Sequence, residues 1–205
     1  MIGIRDPQMP RSLRGHCIRT ARYAAVLYAH AQHSDGLTHT ELAVCSYLCD
    51  HPALMQAHDI GKCFLPQELL EKPGKLSGEE MALMRLHPLL GAALLQPAGR
   101  EEADGRYAQQ LILLHHERWD GKGYPYGFAG QEIPFSAALL SIADAYDAMT
   151  AGRPYQPAKS HQKAWREIVS QAGRQFNPAA VSVFRRAAAS FERLKKEAGH
   201  AARHC

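Results

Sequence analysis

An all-α fold is predicted for this chain by three observations. Apolar residues recur every three or four positions almost throughout the 205 residues, the spacing of a helix face. Alternation of apolar and polar residues with period two, the mark of a half-buried strand, is nearly absent. Helix-start chemistry also stands where apolar stripes begin, as in Ser77 with Glu80 three residues on and in Asn177 followed by Pro178.

Taken in order, about seven helices are expected. The first runs from Ser12 to His33, with Leu13, His16, Cys17, Thr20, Ala24 and Leu27 on one face. After a loop ending at Gly36, Glu41 to Cys49 reads as helix. Pro52 then suits the first turn of a short helix over Ala53 to His58, whose end delivers His58-Asp59. Pro66 opens another short helix, and Lys72-Pro73-Gly74-Lys75 is a turn. The capping box at Ser77 starts a helix from Gly78 to Leu95, whose stripe of Leu83, His87, Leu90 and Leu94 turns His87 inward. A helix from Asp104 to Glu117 puts His115 in line with Ala108, Leu111 and Ile112, and a glycine-rich loop follows to Ile133. Pro134 restarts a helix to Ala151 on which Leu140, Asp144 and Asp147 share a face. Asn177-Pro178 begins a last helix that runs toward Lys196. No repeat or linker divides the chain, so one domain is expected over residues 1–205, with its core at about 12–187 and a basic helical tail at 188–205 that frays at its end.

Composition narrows the function classes. A chain that is 46% hydrophobic at this length can bury one substantial core. Its net charge of +4, with twelve histidines in reserve, gives a weak preference for anionic ligands. Lys and Arg are scattered, apart from the tail with Arg185, Arg186, Arg193, Lys195, Lys196 and Arg203, so no nucleic-acid polymer is expected as a partner. The five cysteines are odd in number and lack a paired framework, which points to reduced thiols. Cys45 and Cys49, one helical turn apart, read as small buried hydrophobes. No stretch has the apolar core of a signal peptide or the roughly 20 apolar residues of a membrane span. A soluble, cytoplasmic protein is expected.

The residues that carry chemistry are His, Asp, Lys and Arg in short clusters. His115-His116 joins a loop, Glu117-Arg118-Trp119-Asp120-Gly121-Lys122-Gly123-Tyr124-Pro125, that combines glycines with Arg, Lys and Tyr. Imidazoles bind metal, and such a loop can bind phosphate. His87, His115 and Asp144 face inward from three separate helices, and His58-Asp59 joins them. A helical core cannot tolerate so many unpaired polar groups, because each unpaired buried charge costs several kcal/mol. A metal cluster would satisfy them together, and imidazole with carboxylate suits iron, manganese or zinc rather than calcium.

His58-Asp59-Ile60-Gly61-Lys62, Leu69 through Lys72-Pro73-Gly74, Glu79-Glu80, His87-Pro88 and His115 to Pro125 resemble the HD-GYP family of HD-type metal-dependent phosphohydrolases. So do Gly130 to Pro134, Ala143 to Ala148, Arg153-Pro154-Tyr155, and Gly173 with Phe176 to Pro178. The resemblance covers His58 to Phe184, with a weaker extension to His16. It implies an all-α HD-type domain around a metal centre and hydrolysis of cyclic di-GMP to pGpG or GMP by a metal-bridged hydroxide.

Residue by residue, the resemblance implies Asp59 as a catalytic carboxylate bridging two divalent ions, iron or manganese first and zinc as an alternative. His16, His58, Asp59 and Asp144 would hold one ion and Asp59, His87 and His115 the other. His116 would be a ligand of a further metal or a group orienting the others. Such ions lower the pKa of a shared water and take up a phosphate oxygen. Lys62 would be catalytic and substrate-binding by neutralising charge on the phosphate or leaving group. Tyr124, Asp147 and Arg153 are its further implied substrate contacts. Gly121, Gly123, Tyr124 and Pro125 form a loop for substrate or for docking a partner such as a diguanylate cyclase or sensory protein. A homodimer is also consistent with the family.

The departures from the pattern matter too. Ser12 stands where three-metal members carry glutamate, which favours two ions over three. Gln156 and Ala138 replace frequent basic residues, Phe64 a frequent glycine and Asn177 a frequent aspartate. Two other readings stay open: a non-catalytic cyclic-dinucleotide sensor or docking module using the same pocket, and an HD phosphohydrolase of another nucleotide.

Overall fold

The computed structural model describes residues 9–34, 36–94, 103–152 and 157–201, and every regular element among them is helical. The first helix, α1 (Arg11–Ala31), buries Tyr23, Ala24, Leu27, Tyr28 and Ala31 and is the strut on which the others assemble. It packs against α2 (His39–Asp50), α3 (Pro52–Gln56), α8 (Phe135–Thr150), α10 (Pro178–Arg186) and α11 (Ala188–Ala201). Its longest interface is with α8, which is apolar on nearly all sides because it runs through the middle of the domain. Tyr28 ties the two together by donating its hydroxyl to the Ser136 carbonyl at 3.0 Å.

The remaining elements form the floor of the site. A 3-10 helix at Ala57–Phe64 follows α3 directly, and α4 (Gln67–Leu70), α5 (Gly78–Met84), α6 (His87–Leu94) and α7 (Ala103–Leu114) come next. The expected short helix ending at His58 is thus split, with His58 and Asp59 in the tighter 3-10 turn. The expected capping box of Ser77 with Glu80 opens α5, and a second, Thr38 with Glu41, opens α2.

The helix expected over Gly78 to Leu95 is two helices, α5 and α6. Pro88 has no N–H to give to the Met84 carbonyl, the i−4 bond on which the helix would continue. The His87 imidazole takes that carbonyl instead, with Nδ1 at 2.8 Å from Met84 O. The break is therefore what aims His87. The final helix is also divided, at Ala187, and its second part carries the basic tail as regular helix to Ala201. The sequence reading passed over α9 (His161–Ser170), which buries only Ala164 and Ile168. Its signals were Ser160, which caps Lys163 N at 3.2 Å, and the four-residue spacing of the two buried side chains.

Where α1, α8, α10 and α11 meet, Tyr23, Tyr146, Phe184 and Phe191 form an aromatic cluster whose rings meet edge-on or stacked at 4.8–6.0 Å. Phe191 is fully buried there. Phe191→Ala is expected to cost about 3–5 kcal/mol in urea unfolding. A loss below about 1 kcal/mol would mean that α11 does not stabilise the domain.

A two-sided His and Asp centre

Four elements and the end of a fifth converge on Asp59. His16 comes from α1, His58, Asp59 and Lys62 from the 3-10 helix, His87 from the first turn of α6, and Asp144 from α8. His115 and His116 follow α7 immediately, since the helix expected to reach Glu117 ends at Leu114. His58, Asp59, His87 and His115 are all buried.

The Asp59 carboxylate has two differently furnished sides. Near Oδ2 lie His16 Nε2 at 3.5 Å and His58 Nε2 at 3.6 Å. These two nitrogens also lie 3.0 and 3.8 Å from Asp144 Oδ1. Near Oδ1 lie His87 Nε2 at 3.2 Å and His115 Nε2 at 3.6 Å. His116 joins the second group, with a ligand atom within 4.8 Å of those of Asp59, His87 and His115.

Hydrogen bonding on the far side of each ring explains what faces inward. His58 Nδ1 bonds Met55 O at 2.9 Å, His87 Nδ1 bonds Met84 O at 2.8 Å, and His115 Nδ1 bonds Ile112 O at 2.8 Å. A carbonyl only accepts, so each Nδ1 carries a proton and each ring turns its Nε2 inward, toward Asp59. His87 Nε2 and His115 Nε2 then confront each other at 3.4 Å. Two ring nitrogens facing each other at that distance need a proton or a metal ion between them. The separation matches two imidazoles sharing one ion at about 2.1 Å each. His58 Nε2 and Asp59 Oδ1 are likewise buried without a hydrogen bond, which a folded chain tolerates where a ligand completes the pairing. The donor set of imidazole nitrogens and carboxylate oxygens fits divalent transition ions.

The electrostatics agree. Burial pushes the Asp59 carboxyl up, but Lys62, His58, His115 and His16 outweigh it and hold the group well below the usual carboxylate range. Asp144 is held low by His16 and His58 against the same burial. Burial lowers His16, yet Asp144, Asp147 and Asp59 push it up to about 11 in the ion-free protein. Burial keeps His87 and His116 below the ordinary imidazole value, so both are neutral at pH 7. Lys62 sets its ammonium 2.5 Å from Asp59 Oδ2.

The loop after His116 closes over the Oδ1 side. Tyr124 stacks on His116 at 4.7 Å, with the Arg85 guanidinium 5.3 Å from the Tyr124 ring centre. Gly121 turns the chain at φ 72°, and the Tyr124–Pro125 peptide is cis. Gly123 serves its own chain: a Cβ there would lie 2.5 Å from Arg118 N and Glu117 Cα, so the loop can fold back only with glycine. Glu117, which the sequence reading left without a role, pins the return by accepting from Tyr126 N at 2.8 Å and Gly127 N at 3.2 Å. Arg118 and Asp120 pair at 2.7 and 2.9 Å, and backbone N–H groups of Trp119 and Asp120 donate to Gln175 and Arg174 carbonyls.

One expectation is corrected. Asp147, expected among the substrate contacts, is 1% exposed. Its oxygens are taken by His16 Nδ1 at 2.7 Å and by Arg19 at 2.7 and 2.9 Å, so it points into the α1–α8 interface rather than toward a ligand. Arg19 is a residue that sequence reasoning missed; its signal was its place three residues after His16, on the same helix face. Arg153 and Gln156 lie outside the described residues. Ser12 is exposed on α1, one turn before His16.

Comparison with known proteins places this geometry. Residues 25–180 match the HD domain family. A cyclic di-GMP phosphodiesterase of Vibrio cholerae is 40% identical over 178 residues, covering 82% of this chain and 35% of that protein. A 3'3'-cGAMP-specific phosphodiesterase 2 of the same organism is 37% identical over 126 residues, covering 62% of this chain and 24% of its own length. The chain thus spans about a third or less of these curated relatives. Among solved structures, a cyclic GMP-AMP specific phosphodiesterase from Vibrio cholerae superposes with a TM-score of 0.52 at 17% identity, over 83% of this chain and 43% of that one, and shares the fold. His16 precedes the matched span and reaches the centre through the packing of α1. With three quarters of its length matched and with its His58-Asp59 and Gly123-Tyr124-Pro125 motifs, the chain belongs to the HD domain family and, within it, to the HD-GYP group.

Proposed function

We propose that this chain is a metal-dependent phosphodiesterase that hydrolyses cyclic di-GMP to a linear product, pGpG or GMP. The observation that carries the reading is Asp59, whose two oxygens each face a separate set of inward-turned imidazole nitrogens. His16, His58, Asp59 and Asp144 would hold one divalent ion, and Asp59, His87 and His115 the other, with His116 beside the second. Iron or manganese suits the set best, and zinc shares it. Ser12, a small exposed hydroxyl where a third ion would call for a carboxylate, argues for two. Bound ions would supply an activated water and charge stabilisation for the phosphate.

The chain's own groups do the remaining work. Lys62 stands beside Asp59, where a mobile ammonium can shift to negative charge gathering on the phosphate or the departing ribose oxygen. Tyr124, stacked on His116 and flanked by the Arg85 guanidinium, stands at the mouth as a substrate contact. Arg153 is assigned to phosphate on the strength of its motif. The loop from Gly121 to Pro125 frames this mouth. The same loop would dock a diguanylate cyclase or sensory partner, a reading supported by its neighbour Tyr126, 52% exposed. No described helix is long and apolar enough to cross a membrane. Among the described residues Cys17, Cys45 and Cys49 are free thiols, in keeping with the cytoplasm.

A second substrate has a specific observation behind it, namely the relative whose name specifies 3'3'-cGAMP. Protein loaded anaerobically with Fe(II) or Mn(II) should therefore be offered cyclic di-GMP, 3'3'-cGAMP and a simple aryl phosphodiester. Linear product from cyclic di-GMP at a higher kcat/KM than from the other two is the expected result. Preference for 3'3'-cGAMP would move the substrate assignment. Tight nucleotide binding with two ions present and no product from any of the three would identify a sensor and end the hydrolase reading.

A further inference from the structure

His16 differs from the other imidazoles of the centre in how its ring is held. His58, His87 and His115 each anchor Nδ1 on a carbonyl three residues back in their own chain. Those anchors come with the local fold. His16 lies inside α1, where the carbonyls around it are taken by the helix, and its Nδ1 bonds a residue 131 positions away, Asp147 Oδ2 at 2.7 Å. Thr20 Oγ1, at 3.5 Å, is at the limit of a hydrogen bond.

Asp147 in turn is held on both oxygens. Arg19 Nε reaches Oδ1 at 2.7 Å and Arg19 Nη2 reaches Oδ2 at 2.9 Å, a bidentate fork that fixes the carboxylate plane. The two helices meet through two rungs. His16 and Asp144 form the first at 3.0 Å, and Arg19 and Asp147, each three residues further on, form the second. Asp147 also reaches back from the second rung to the first.

Resting on the metal-centre reading above, we propose that Asp147 and Arg19 are positioning residues for one ion only, the one on the Asp59 Oδ2 side. Asp147 sets the His16 tautomer and ring plane so that the Nε2 lone pair points at the space shared with Asp59 Oδ2 and Asp144 Oδ1, and Arg19 keeps Asp147 in that plane. The Oδ1 side needs neither residue, because His87 and His115 carry their own backbone anchors.

Mn(II) titration with ion counting by elemental analysis tests this on the folded, ion-stripped protein, without reference to turnover. Wild type is expected to bind two ions per chain. Asp147→Ala should keep one at wild-type affinity and bind the other about 10–100-fold more weakly. Arg19→Gln should weaken the same ion, and Arg19→Lys should not restore it, since an ammonium cannot present the fork. His16→Ala should weaken that ion too, and Asp147→Ala added to His16→Ala should bring no further loss, because the two act through one ring. Two ions at wild-type affinity in Asp147→Ala would overturn the proposal. So would equal weakening of both ions, the result of general loosening, or additive losses in the double variant. Failure of wild type to bind any ion would instead sink the metal-centre reading and this inference with it.

Discussion

Replacing Asp59 by asparagine is expected to reduce turnover by at least about 10³-fold, more than the 10–100-fold typical of a group that only orients a ligand. The shape is kept, so the loss isolates the charge. The carboxylate faces His16 and His58 with one oxygen and His87 and His115 with the other. An amide presents one oxygen and one NH2, and the NH2 would meet a pair of imidazole lone pairs on one side. Ion binding should therefore fall from two to at most one, and the ion that survives should bind more weakly. The ion-free variant should still fold, because Asp144 and Asp147 remain beside the cations that Asp59 faced. Lys62, whose ammonium sits on Asp59 Oδ2, would then rely on Asp144 for compensation. Circular dichroism, ion counting and product analysis on one preparation check all three. Retention of two ions and of more than a tenth of the activity would show that Asp59 does not join the two sides.

Much of this centre was legible from residue order alone, for a reason seen in particular positions. Leu27, Leu111, Ile112 and Leu140 mark buried helix faces, and His87, His115 and Asp144 fall on or beside such faces, where a polar group without a partner is too costly to be incidental. Periodicity also shows most of the helices, α9 being passed over although Ala164 and Ile168 keep helical spacing. What it cannot show is which element across the core a side chain meets. Asp147 shares a face with Asp144, and the resemblance made it a substrate contact. Arg19, on a helix more than a hundred residues earlier, takes it out of that role. Helix ends were blurred for a related reason. The break before His87 comes from Pro88 and from an imidazole competing for a backbone carbonyl, an exchange that no hydrophobic pattern records. Glu117 reads as one more charge in a polar loop until the loop is seen to close on it.

Gly61→Ala is expected to be the most damaging small substitution away from the ligands themselves. A Cβ built at Gly61 would lie 1.9 Å from the His87 carbonyl oxygen and 2.5 Å from Gly91 N, both backbone atoms that no rotamer change can move. The 3-10 helix and α6 touch here backbone to backbone, which is how Asp59 Oδ1 comes within 3.2 Å of His87 Nε2. Alanine must push the two elements apart. A loss of about 3 kcal/mol or more follows, at the upper end for overpacking, or a fall in Tm of roughly 6–12 °C for a domain of this size. Gly91→Ala should cost less, because its Cβ would lie 2.9 Å from a side-chain carbon of Ile112 and 3.1 Å from the nearest backbone atom, Gly61 N, a milder overlap than the 1.9 Å at Gly61. The damage should also have a direction. Separating the 3-10 helix from α6 widens the gap between Asp59 and His87, so the Oδ1-side ion should weaken first, the reverse of what Asp147→Ala is expected to do on the other side. Urea unfolding and Mn(II) titration of the two glycine variants together read both effects. Gly61→Ala with wild-type stability, or with the Oδ2-side ion lost first, would show that the close approach of these backbones does not set the geometry of the centre.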